Sequence, residues 1–366
     1  MTEIPETKKT WFEQNPKKTT TFLILIFIIA GFFLTEIIMR LYHKEFTLQF
    51  YIKRDSSLLK SSYPAQFDRQ LGYIPKPGFD SSENIWNKKV TIIEDGIRSN
   101  GNNVPLKNKA PLILAVGDSF TFGDEVENNE TWPAYLESMT KTKTLNGGVF
   151  GYGLDQMIVR AEMLYEKYKP DILIVSFFAD GIGRCELENR TNTPKPYFRI
   201  KDDKLILNTS HITDLAVTNP HPIFDSLRNI FGYSFFAHRV MSKNAPTIWY
   251  YGTTQYWKKT GEDPEKVACL LMNRLKEFSI RTGVKTLVLA QYQAKTPQKN
   301  IDKSARLIKC ASDANVETLD LLPALAKMKT TDPDQYSKLF VWHMSASGNR
   351  FVAQELKKYL ESKGWI

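Results

Sequence analysis

Apolar positions along this chain fall into two patterns. One is a single long run, Thr20 to Met39 (TTFLILIFIIAGFFLTEIIM), broken by one charge, Glu36. About 20 such residues cross a hydrocarbon core, so residues 20–42 are read as a transmembrane signal anchor. Arg40 lies one helical turn after Glu36 and is placed to pair with it. A cleaved signal peptide would have a shorter apolar region and a small-x-small site, and GFFLTEI after Ala30 offers none. A buried core helix is the remaining alternative. Lys8, Lys9, Lys17 and Lys18 precede the run and Arg40, Lys44, Lys53 and Arg54 follow it, so flanking charge is nearly balanced across it.

The second pattern is short. Runs rich in branched aliphatics at 112–116, 143–146, 171–177 (DILIVSF), 285–291 (KTLVLAQ) and 316–321 read as strands. Between and after them, 131–140, 153–168, 265–282, 299–313 and 346–363 read as helices. The segment GLDQMIVRAEMLYEKY, for example, has helical apolar spacing and stops before Pro170. Strand and helix in alternation predict a parallel sheet covered on both faces, a doubly wound α/β domain with right-handed crossovers. The organisation expected is a tail at 1–19, the anchor at 20–42, a stalk and turn-rich lead-in at 43–110, and the α/β domain at 111–366. An insertion at about 190–262 interrupts the alternation with a hairpin (YFRIKDDKLIL), an amphipathic stretch (HPIFDSLRNIFGYSFFAHRVM) and the aromatic-dense TIWYYGTTQYW. It is expected either to wall the active edge as a lid or to pack as a satellite cluster.

Composition narrows the chemistry. Of 366 residues, 42% are hydrophobic and 24% charged, as in a folded protein. The net charge of +9 is scattered in pairs such as Lys17-Lys18, Lys88-Lys89 and Lys258-Lys259. Without a basic stripe interleaved with aromatics, nucleic acid is not an expected partner. Mild attraction to anionic lipid or acidic glycans is. Cys185, Cys269 and Cys310 form no CxxC pair, which leaves open one disulfide with a spare thiol, or three thiols. The five histidines form no HxxxH or HExxH pattern, so neither a metal nor another cofactor is indicated.

The stretch GDSFTFG follows the strand LILAV and puts Ser119 at the carboxyl edge of the sheet, where open α/β folds keep their sites. A nucleophilic serine needs a base and donors for an oxyanion. His343 precedes the last helix, in a loop that would reach the same edge. The second strand runs into NGGVFGYG, Asn146 to Gly153, whose glycines allow a backbone amide to approach a ligand.

These blocks resemble the SGNH, or GDSL-type, hydrolase family over roughly residues 111–363: GDSFTFG, TWPAYLE, NGGVFGYG, DILIVSFFAD and HMSASGNRFVA. The lead-in LGYIPKPG with EDGIRSN resembles membrane-anchored bacterial envelope members. The resemblance implies a flavodoxin-like five-stranded sheet, Ser119 as nucleophile, His343 as general base, and the Ser119 and Gly151 amides as oxyanion donors. It also implies hydrolysis or transfer of an ester acyl group on an envelope glycan or lipid, outside the cytoplasm. The other readings are an O-acyltransferase in envelope polysaccharide modification, with a membrane-bound acyltransferase as partner, or a non-catalytic glycan-binding or assembly module on the same fold.

Two departures stand out. The family's third block ends in Gly-x-Asn-Asp, whose asparagine donates to the oxyanion; SFFADGIG puts Asp180 there. An ionised carboxylate only accepts hydrogen bonds. The family also has an aspartate two or three residues before the histidine, where this chain has Phe340, Val341 and Trp342. The orienting carboxylate is therefore expected from elsewhere, with Asp180 and Asp320 as candidates, or else a backbone carbonyl holds His343. Asp180 is expected beside Ser119, acting as a neutral oxyanion donor or as the orienting partner.

Overall fold

A computed structural model describes residues 10–50, 63–84, 86–102, 105–107, 109–190, 193–212, 222–250 and 257–366. The chain forms two compact units: residues 1–54 with 219–256, and residues 55–218 with 257–366.

In the first unit an apolar helix runs from Pro16 to His43 and ends at Lys44 in the left-handed region, φ 52°. The helix starts four residues before the apolar run, and the hydroxyls of Thr19, Thr20 and Thr21 bond back to the carbonyls of Asn15, Pro16 and Lys17. Glu36 is buried and bonds to Arg40 at 2.5 Å, the pairing expected from their spacing. Its carboxylate also accepts from Ser234 Oγ at 2.8 Å and from the amides of Phe235 at 2.7 Å and Phe236 at 2.9 Å. Those amides open the helix Phe235–Asn244, whose first turn has no intrahelical acceptors for them and carries the positive end of the helix dipole. Phe32 meets Phe231 and Phe236 edge-on at 6.2 and 6.0 Å. The amphipathic part of the insertion, seen here as the helices Pro222–Phe231, Phe235–Asn244 and Pro246–Trp249, thus packs with the N-terminal helix.

The second unit is built on five parallel strands: β1 (Ile113–Gly117), β2 (Thr144–Asn146), β3 (Ile172–Phe177), β4 (Lys285–Ala290) and β5 (Glu317–Asp320). Their order is β5-β4-β3-β1-β2. Read from the other edge this is 2-1-3-4-5, the flavodoxin-like doubly wound order, with its switch point between β1 and β3. All residues of β1 and β3 are buried, as the unbroken aliphatic runs require of central strands. Five helices cover the sheet: α1 (Trp132–Thr140), α2 (Leu154–Tyr168), α3 (Pro264–Thr282), α4 (Gln298–Asp313) and α5 (Ala346–Ser362). α1 packs on α5, while α2, α3 and α4 pack in series, which makes two helical layers.

Caps fix where these helices start. Thr131 Oγ1 accepts from the Ala134 amide, Asp263 from Glu265 and Lys266, and Ser345 from Gly348. Cys269 on α3 and Cys310 on α4 form a disulfide, and Cys185 is a buried free thiol. The other part of the insertion, the hairpin Tyr197–Lys201 with Lys204–Asn208, belongs to this unit. The helices Leu322–Thr331 and Pro333–Lys338 after β5 were not anticipated from the pattern. In the lead-in, Ala65–Asp68 pairs with Gly72–Pro75 and Asp80–Ser81 with Val90–Thr91, short antiparallel ribbons between turns.

Candidate active site

β1 ends at Gly117, and the chain turns at once into the single helical turn Ser119–Phe122. Asp118 caps that turn, its Oδ1 accepting from the Phe120 amide at 3.0 Å. Ser119 therefore stands at the carboxyl edge beside the switch point, 9% exposed. His343 arrives from the loop before α5. Asn349 fixes that loop: its side-chain nitrogen donates to the carbonyls of Met344 and Ser345, both at 3.0 Å, and its oxygen accepts from the Trp132 amide at 3.0 Å.

These supports bring His343 Nε2 to 3.0 Å from Ser119 Oγ. The carboxylate on the far side of the imidazole is Glu125, whose Oε2 lies 3.4 Å from Nδ1 and accepts from the His343 amide at 3.0 Å. Neither of the candidates Asp180 and Asp320 stands there. Asp320 Oδ1 instead accepts from the Leu322 amide at 2.9 Å. Asp180 is exposed, and among the described residues no hydrogen bond joins it to Ser119 or His343. Glu125 comes six residues after Ser119, in a loop turned back by left-handed backbone, φ 89° at Gly123 and 71° at Glu125. Sequence held one signal for it, the acidic pair Asp124-Glu125 directly after GDSFTFG.

Arg98 of the lead-in braces this loop. Buried at 1% exposure, it donates to the carbonyls of Phe122 at 2.9 Å, Gly123 at 2.5 Å and Val126 at 2.7 Å. Burial pushes its guanidinium pKa down to about 10. Asp124 is buried too, with Oδ2 at 3.9 Å from His343 Nε2 and no partner for Oδ1. Burial holds the Asp124 carboxyl well above the ordinary carboxylate range, against the opposing field of Arg98. Burial likewise raises Asp118. It lowers His343, and Glu125 opposes that shift, so the imidazole stays neutral below the ordinary histidine value of 6.5. A neutral imidazole with Nε2 free to accept is the base form.

The glycine run lies against the Ser119–Phe122 turn. A Cβ on Gly148 would come within 2.3 Å of the Phe122 nitrogen, and Gly151 has φ 76° with Tyr73 Oη 3.0 Å from where a Cβ would stand. Neither the Ser119 nor the Gly151 amide is taken by a backbone carbonyl among the turn and loop hydrogen bonds of the described residues. The Gly181 amide, beside Asp180, is occupied by Phe178 O at 2.8 Å. Phe120 stacks on Phe178 and meets His343 edge-on, both at 5.1 Å, and forms an apolar wall for the site.

In structure the chain is similar to GDSL-type lipolytic proteins. A putative lipolytic protein of the G-D-S-L family from Desulfitobacterium hafniense DCB-2 is 12% identical over 68% of this chain and 98% of its own, with a TM-score of 0.37. The psychrotrophic esterase EstA from Pseudoalteromonas sp. is 12% identical over 69% and 97%, TM-score 0.37. A lipase/acylhydrolase from Enterococcus faecalis is 12% identical over 69% and 96%, TM-score 0.38. No protein-family model matches the chain, and no curated protein does.

Proposed function

We propose that the chain is a membrane-anchored serine ester hydrolase of the SGNH type, acting on an acylated envelope glycan or lipid. The observation that carries the reading is the 3.0 Å contact between Ser119 Oγ and His343 Nε2, with Glu125 on the opposite ring nitrogen. Ser119 Oγ attacks the ester carbonyl carbon as Nε2 takes its proton. The oxyanion faces the amides of Ser119 and Gly151. Collapse breaks the bond to the alcohol, which leaves with the proton from Nε2. Water, deprotonated by the same nitrogen, then releases the acid and restores Ser119. Glu125 sets the tautomer and steadies the imidazolium. Exposed Asp180 supplies no donor, so the oxyanion relies on backbone amides.

Two features support an uncleaved anchor with the catalytic domain outside the cytoplasm. Glu36, inside the apolar helix, holds amides nearly two hundred residues downstream, a contact that cleavage of a signal peptide would abolish. The Cys269–Cys310 disulfide suits an oxidising compartment. The test uses the full chain in detergent with a short-chain aryl ester. Ser119→Ala should lower turnover by at least about 10³-fold. A variant as active as the parent would remove Ser119 from the mechanism.

A further inference from the structure

Where β3 gives way to Ala179 and Asp180, next to the strand that carries Ser119, the second unit opens into a cavity of about 280 Å³. Arg184, Arg190 and Lys303 line it, together with Trp257, Asn300 and Asp180. Among the described residues none of the three cations has a carboxylate within ion-pair distance, in a chain whose other basic side chains are often paired. The wall's second acid, Glu186, is already taken by Lys259 at 2.9 Å. Arg190 Nε is buried and has no hydrogen-bond partner among the described residues. Among the described residues Arg184 makes one hydrogen bond, Nη1 to the Tyr152 carbonyl at 2.8 Å, which leaves the rest of its guanidinium free for a ligand. Clustered cations repel one another, and partly buried ones also lose hydration, so an unpaired set is an arrangement that an anion would relieve. On the same wall the indole of Trp257 is 52% exposed, an apolar plate suited to the face of a sugar ring.

Resting on the esterase reading of Ser119, we propose that this cavity is a substrate subsite for an anionic sugar. The acylated substrate is then a glycan that carries a carboxylate or phosphate beside the ester. Guanidinium forks fit either anion, Lys303 adds a point charge, and Trp257 stacks the ring.

Binding separates this claim from catalysis. Full-length Ser119→Ala in detergent would be titrated calorimetrically with maltotriose, trigalacturonate and glucose 6-phosphate. At least one anionic sugar should bind ten times or more tighter than the neutral trisaccharide, and should weaken as salt rises. Whichever anion binds identifies the source. Arg190→Gln and Lys303→Gln should each weaken that binding about tenfold, while the same changes in the parent chain leave turnover of a neutral aryl ester unchanged. Trp257→Ala should weaken the sugars and leave inorganic phosphate unaffected. Equal binding of neutral and anionic sugars, no binding of any, or binding unmoved by both cation substitutions would overturn the subsite. Loss of the esterase reading would look different: no turnover of the aryl ester by the parent chain, whatever the sugars do.

Discussion

The two units of this chain treat apolar side chains in opposite ways. In the α/β unit Ile113, Leu114, Ile174 and Val175 are fully buried at 0% exposure, and Lys195 and Asp155, buried at 0% as well, pair with each other. In the other unit Phe27 is 74% exposed, Ile28 62%, Ile223 76% and Ile230 67%, while the carboxylate of Glu36 is turned inward. Ile223, Leu227 and Ile230 follow the helical spacing of one face, so that helix too presents an apolar stripe outward. The hydrophobic effect explains the first arrangement and would penalise the second in water. The proposed membrane anchor accounts for the second, since hydrocarbon would tolerate exposed aliphatics and demand that every polar group find a partner. Glu36 meets that demand with four hydrogen bonds.

Glu125→Gln breaks the polar side of this contrast at its most expensive point. The amide keeps the shape but cannot compensate an imidazolium, so kcat should fall by roughly 10²–10⁴. The pH profile separates orientation from general damage. Glu125 raises the His343 pKa against the lowering by burial, so its removal should move the acid limb of kcat/KM to lower pH than the parent's. Loss of activity with an unmoved limb would deny Glu125 its contact with the imidazole.

Next in size are paired truncations. Leu114→Ala removes a fully buried side chain from the central strand and should cost about 2–5 kcal/mol in denaturant unfolding. Ile223→Ala should cost less than about 0.5 kcal/mol in detergent and should weaken association with lipid vesicles. Similar costs for the two would erase the distinction between the units. Smaller again, Glu36→Ala strands Ser234 and two amides and should cost roughly 1–3 kcal/mol. It should speed proteolysis within 222–250 while aryl-ester turnover stays at the parent level.

Sequence carried much of this because the α/β domain obeys period rules. β1, β3 and β4 are aliphatic runs bounded by turn residues, and Ser119 and His343 lie at places fixed by those strands and by α5. The orienting carboxylate was not legible. Its position depends on a left-handed turn at Gly123 and Glu125 and on the grip of Arg98, and neither leaves a periodic trace. The slot before His343 holds no carboxylate because the one that serves it follows Ser119. The insertion misled for a related reason: its hairpin Tyr197–Asn208 and its helices Pro222–Trp249 are contiguous in sequence but belong to different units. The union of Cys269 with Cys310, 41 residues apart, likewise reflects the packing of α3 on α4 and not a spacing rule.

The central claim is that His343 makes Ser119 a nucleophile. A fluorophosphonate reagent followed by peptide mass spectrometry tests it directly, because the phosphorus traps the attacking oxygen whatever the natural acyl group is. One adduct is expected, on Ser119, formed by the full chain at pH 7 and slowed at least about 10²-fold by His343→Ala. An adduct elsewhere, or labelling of Ser119 at the same rate without His343, would contradict it.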